Sequence, residues 1–354
     1  MKSFIKSILV VCCVTICVLF FQACRKEVSP VTKASDAIAA SKITPELGAS
    51  GTTLTLQGSG LGDIKTIVFE KDAVSASFNP ILNTDDAIIF RVPTAATPGQ
   101  QNIILTNGDG KSIKVPFNVL GLATITDVSN YDFETGSQIT LTGKNLADVS
   151  AVKFSGSTEV PTIVSKTPTT LVISMPTTAK FRTNLDITNL AGTTITQQEF
   201  VSLTNNFKFF ADAYENGEQD ASWGDAAFIS TTNFKTGTAS FGKNFQKDNW
   251  HQCGFGWNAI PNNNYKYLTF WVKGGSVDID FWVWTQQTQG GNDVYNNTPN
   301  KITVPANVWT YFKLSVSQLD LWKNGTTFNQ IGWRLKGPFT QDEKIYFDDV
   351  MLVK

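Results

Sequence analysis

Half of this 354-residue chain lacks tryptophan: none occurs before Trp223, and all nine lie between there and Trp333. Histidine is reduced to His251, which excludes His-based zinc clusters and any His-x-x-x-His motif. No Gly-x-Ser-x-Gly elbow is present, so the usual serine-hydrolase turn is missing. Charged residues make up only 17%, with no basic block, which argues against nucleic acid and anionic membrane surfaces as partners. Beyond position 24 the one cysteine is Cys253, so no intramolecular disulfide is available to that part of the chain. Stability must come from packed cores, and the length allows two or three.

The N-terminus has Lys2 and Lys6, an apolar run from Ile8 to Phe21, and Cys24. The run is short for a membrane-spanning helix and suits a signal peptide. Phe21-Gln22-Ala23-Cys24 resembles a bacterial lipobox, although Phe replaces the usual leucine. The resemblance implies a signal peptide over 1–23, cleavage before Cys24 and acylation of its thiol. Removing that segment leaves 27 basic against 30 acidic residues, a net charge of −3. Residues 24–41 are polar and Ala/Ser-rich and read as a tether.

A duplication follows. Gly51-Thr-Thr-Leu-Thr-Leu-Gln-Gly58-Ser-Gly-Leu61 recurs 85 positions later as Gly136-Ser-Gln-Ile-Thr-Leu-Thr-Gly143-Lys-Asn-Leu146, with Phe69 matched by Phe154. A period this long signals duplicated domains and not a solenoid. Short alternating runs broken by Gly, Asn and Pro predict small antiparallel sandwiches over 42–121 and 122–204. These residues resemble the TIG/IPT family of immunoglobulin-like domains. Without an aromatic or metal-ligand cluster they read as spacers.

Residues 205–354 show about ten candidate strands and no helical periodicity, which predicts a jelly-roll β-sandwich. The whole chain is therefore expected to be all-β, with two immunoglobulin-like sandwiches followed by a jelly roll. The C-terminal 150 residues are expected to fold alone and carry the binding. Within Asp278-Ile-Asp-Phe-Trp-Val-Trp-Thr-Gln-Gln287, alternation puts Ile279, Phe281 and Val283 on one face of a strand. Asp278, Asp280, Trp282, Trp284 and Gln286 fall on the other. Carboxylate, amide and indole on one face suit a sugar, whose apolar CH face lies on indole and whose hydroxyls need polar partners. The plainer alternative buries both indoles under a second layer. Arg334 alternates away from Trp333 and Leu335 and is expected to face the same groove, with Trp250 and Trp322 at its rim. Trp257, Trp271 and Trp309 are expected in the core.

Ser222-Trp-Gly224, the segments Tyr267 to Gly275 and Val304 to Leu319, and the closing Ile345 to Val353, in that order, resemble surface glycan-binding lipoproteins of starch-utilisation-like systems. The resemblance implies an outer-membrane, surface-exposed protein without catalytic activity. It would capture a polysaccharide, β-linked and plant-type given the spacing of Trp282 and Trp284, for a TonB-dependent importer and its partner lipoprotein. Jelly-roll binding modules with adjacent first and last strands hold a structural Ca²⁺ through acidic residues there. By that resemblance Asp212, Glu215 and Asp348, next to Asp349, are candidate ligands, with solvated charges as the alternative; no other cofactor is expected. Two further classes stay open: an adhesion or protein-interaction lipoprotein, and a lyase or hydrolase using two of the C-terminal carboxylates.

Overall fold

The computed structural model describes residues 37–249, 251–286, 300–338 and 340–354. The chain is all-β: immunoglobulin-like sandwiches precede a larger β-sandwich. It divides into two compact units, one ending at Gly121 and the other running from Leu122 to Lys354.

In the first unit a three-stranded sheet with Thr53–Ser59 at its centre opposes a five-stranded sheet built on Gly99–Asn107 and Ser112–Leu120. Leu54, Leu56, Ile67, Phe69, Ile103 and Phe117 fill the space between them. The repeated sequence signature has a backbone cause. Gly51 and Gly136 begin their repeats at φ 83° and 86°, in the left-handed region that favours glycine. A Cβ on Gly58 would stand 2.0 Å from the Ala39 carbonyl oxygen, and one on Gly143 would stand 1.7 Å from that of Thr124. Each copy thus needs a bare glycine where a neighbouring strand crosses. The repeated Leu61/Leu146 and Phe69/Phe154 are fully buried.

The second unit holds the second sandwich, with Phe133, Leu141, Phe154, Leu171 and Ile187 in its core, and the large C-terminal sandwich. The expected boundary at 204/205 lies inside this unit. The C-terminal sandwich has a six-stranded sheet, ordered Phe228–Ser230, Ser240–Phe245, Glu343–Val353, Tyr267–Lys273, Trp309–Ser315, with Phe207–Phe210 also paired to Glu343–Val353. A five-stranded sheet faces it, ordered Gln219–Asp220, Gln252–Pro261, Thr327–Gly337, Ile279–Gln286, Lys301–Val304. Phe241, Phe255, Phe270, Phe281, Trp333 and Phe347 pack between the two sheets.

Part of the outer face of the six-stranded sheet packs on the second sandwich. Three consecutive residues form the centre of that joint. Asn130 accepts the Trp271 indole N–H at 2.9 Å, and Asp132 accepts the Tyr311 hydroxyl at 3.0 Å. Between them the Tyr131 ring stacks on Trp271 at 5.7 Å and on Tyr311 at 4.6 Å. Val201 and Leu203 bury themselves against Met351 and Val353. Trp271 is therefore buried as expected, but in the joint and outside the sandwich core. The outer face of the five-stranded sheet takes no part in this joint.

Candidate functional site

Strand register builds this second face. The alternation holds in the Ile279–Gln286 strand: Ile279, Phe281 and Val283 belong to the core, and Asp280, Trp282 and Trp284 turn outward. Residues directly opposite one another in antiparallel strands share a face. Trp282 pairs with Arg334 on one side and Lys301 on the other. Arg334 pairs with Gln252, and Gln252 bridges to Trp223. One row therefore crosses the sheet: Trp223, Gln252, Arg334, Trp282, Lys301. At about 4.8 Å per strand, Trp223 and Trp282 stand about 14 Å apart.

The next row reads Gly254, Gly332, Trp284. With two glycines in succession there is no side chain to hold the Trp284 indole off the sheet. A Cβ on Gly332 would meet its Nε1 at 3.1 Å, so the ring lies across that backbone. Trp284 is 1% exposed and Trp282 9%, whereas Trp223 is 60% exposed. Trp284 sits on the face expected of it yet offers no open ring there. Trp223 belongs to the Ser222-Trp-Gly224 motif, for which the sequence predicts no contact with a ligand. It lies beyond a two-residue strand, too short for alternation to be legible, and its signal was the polar Ser222-Trp-Gly224 context alone.

Asp280 has other commitments. Its carboxylate lies 2.8 Å from Lys301 and 3.8 Å from Lys336, and it accepts the Thr303 hydroxyl at 2.6 Å. Partial burial pushes this carboxyl up, but the hydrogen bonds from Lys301 and Thr303 and both lysine charges outweigh it and hold it below the usual range. It stays ionised and holds the lysines in place. Lys336 stands 5.7 Å over the Trp282 ring. An ionised, ion-paired Asp280 cannot serve as a general acid.

Other expectations are revised. Trp322 is no rim residue of this face: it stacks on Tyr265 at 6.1 Å, touches the core residue Phe328, and donates its N–H to the Ile260 carbonyl at 2.9 Å. A backbone acceptor lets the indole fold inward from a polar loop. Trp257 is 56% exposed and not in the core, because a register break between Gly256 and Ile260 lifts Trp257 to Ala259 out of the ladder. Asn258, on this bulge, donates to the buried Glu218, whose carboxyl is pushed up to about 7 by that burial. Trp309 is half-buried on the edge strand of the six-stranded sheet. Trp250, Cys24 and the side chain of Gln286 lie outside the described residues.

The candidate calcium ligands are occupied by the protein itself. Asp212 accepts the Ala239 backbone N–H at 2.8 Å as well as that of Thr238. Asp348 accepts those of Lys235, Thr236 and Asp349, and Glu215 lies 3.4 Å from Lys208. The first and last strands of the sandwich do lie side by side. Among the described residues, however, no three acidic, histidine or cysteine side chains form a group able to hold a metal.

No family model matches the chain. No curated protein matches it either. Similar solved structures include SGBP-B from a complex xyloglucan utilization locus in Bacteroides uniformis, 17% identical, with 90% of this chain and 99% of that one covered and a TM-score of 0.43. The surface glycan-binding protein PbSGBP-B from Prevotella bryantii is 16% identical over 90% of this chain and 99% of its own, with a TM-score of 0.42. SGBP-B of the Bacteroides ovatus mixed-linkage glucan utilization locus, solved with a mixed-linkage heptasaccharide, is 13% identical over 90% of this chain and 74% of that one, with a TM-score of 0.30.

Proposed function

We propose that this protein binds a polysaccharide without cleaving it, on the outer face of the five-stranded sheet. The observation that carries the reading is the row from Trp223 through Gln252 and Arg334 to Trp282. It joins an open indole, an amide, a guanidinium and a second indole in one line. Indoles take the CH faces of pyranose rings, while Gln252 and Arg334 supply donors and an acceptor for hydroxyls. The glycan then runs across the strands, over a span on the order of three pyranose rings at the strand spacing. This direction differs from that implied by Trp282 and Trp284 as successive platforms along one strand. The lysines held by Asp280 form the far wall of the site.

Electrophoresis through native gels cast with xyloglucan, mixed-linkage β-glucan or glucomannan tests the reading. Retardation by at least one of them is expected, with no shortening of the polymer. Unchanged mobility in all three, at concentrations that retard a known binding module, would discard it.

The same reading puts the protein on the outer-membrane surface, anchored through acylated Cys24 and delivering glycan to a TonB-dependent importer and its partner lipoprotein. Cys24→Ala is expected to move the protein from the membrane to the soluble fraction. Retention in outer membranes would remove the anchor from the proposal.

A further inference from the structure

The joint between the second sandwich and the C-terminal sandwich leaves open space beside its stacked rings. Two clefts, of about 330 and 520 Å³, follow one another along the outer face of the Trp309–Ser315 strand. Tyr311 and Lys313 line the first and Ser315 the second, as two-residue alternation along one strand requires. Both volumes fall in the range of small-molecule sites, which favour domain interfaces.

Charges of both signs nearly balance in this groove. Glu199, reaching from the second sandwich between the two clefts, pairs with Arg182 at 2.5 Å and also with Lys313. Lys266 and Asp320 also line the second cleft, so three cations face two carboxylates and the groove keeps a net charge of only about +1. Its uncharged polar lining is of amides and hydroxyls: Gln197 and Gln198 at one end, Asn262, Ser315 and Ser317 at the other. These groups both donate and accept, as sugar hydroxyls do. Aromatic side chains close both ends, the Tyr131–Tyr311 stack at one and the Tyr265–Trp322 stack at the other.

We propose that this groove is a second binding site, for a neutral oligosaccharide. It rests on the glycan reading given above for the protein as a whole. The groove belongs to the outer face of the six-stranded sheet, whereas the Trp223–Trp282 row belongs to the outer face of the opposite sheet. The two sites lie on opposite sides of one sandwich and bind independently.

Isothermal titration of the full chain with a xyloglucan oligosaccharide and with a mixed-linkage heptasaccharide tests this. Two equivalents are expected for at least one of them. Asn262 and Ser317 are exposed, so Asn262→Ala and the bulkier Ser317→Tyr leave the fold intact. Ser317→Tyr should reduce the stoichiometry to one, and Asn262→Ala should weaken the same event about threefold or more. A Trp223→Ala/Trp282→Ala double variant should keep one equivalent, now abolished by Ser317→Tyr. A wild-type stoichiometry of one, unchanged by both groove substitutions and lost in the double tryptophan variant, would overturn the second site and leave the first standing. Absence of heat with every sugar would take down the glycan reading and this site together.

Discussion

Trp223→Ala is expected to weaken polysaccharide binding about three- to tenfold and to melt close to wild type. A stacked aromatic contributes about 0.5–1.5 kcal/mol beyond its buried area, and 1.4 kcal/mol is a factor of ten. With 60% of Trp223 exposed, its loss opens no cavity. Trp282→Ala should cost at least as much affinity and also a clear loss of stability, since only 9% of it is exposed. Trp284→Ala should behave in the opposite way. Its ring is 1% exposed and lies over Gly332. Truncating a buried tryptophan costs about 3–5 kcal/mol, roughly 10 °C of melting temperature for a unit of this size. Thermal melts and gel retardation on all three variants separate the roles. An early-melting Trp223→Ala with wild-type affinity, or a stable Trp284→Ala that no longer binds, would show that the row has been misassigned.

Tyr131→Ala is expected to uncouple the second sandwich from the C-terminal one. The ring stacks on both Trp271 and Tyr311, so its removal loosens the centre of the joint, at less than the ~3–5 kcal/mol of a fully buried aromatic because Tyr131 is half-buried. A fragment covering 122–354 should melt in one transition, and its Tyr131→Ala form in two. A fragment of 205–354 should be less stable and less soluble than 122–354, because it uncovers Trp271, Tyr311, Met351 and Val353. Equal melting of the two fragments would mean that the joint contributes nothing.

The joint also sets a pH dependence. Asp132 is buried, and its Oδ2 has no partner among the described residues. Burial, and then the neighbouring Asp349, push its carboxyl well above the usual range. Burial likewise raises Asp349 to about 6, and burial with Asp349 raises Asp348 to about 8 despite three backbone N–H donors. Carboxyls whose folded pKa is raised add stability below their unfolded value, and lose it as pH climbs through the folded one. The 122–354 fragment should thus melt higher at pH 5 than at pH 8. Asp132→Asn keeps the oxygen that accepts from Tyr311 and should flatten that slope. An unchanged slope would assign it to Asp348, Asp349 and the buried Glu218.

What the sequence determined by itself was whatever depends on near neighbours. Alternation sorted Ile279, Phe281 and Val283 from Asp280, Trp282 and Trp284, because side-chain direction in a strand has a period of two. The repeat at 51–61 and 136–146 was legible because its glycines answer strict backbone demands, positive φ at Gly51 and Gly136 and a crossing strand at Gly58 and Gly143. Tertiary structure alone decided which indoles stay open. Trp282 and Trp284 share a strand and a face and are both largely buried, at 9% and 1% exposure, whereas Trp223 keeps 60%. Trp223 became part of the site only through its bridge to Gln252, and Tyr131, the one tyrosine of the N-terminal half, acquired its role from rings of another sandwich. Exposure and stacking are set by what arrives from distant strands, and spacing along a single strand does not encode those arrivals.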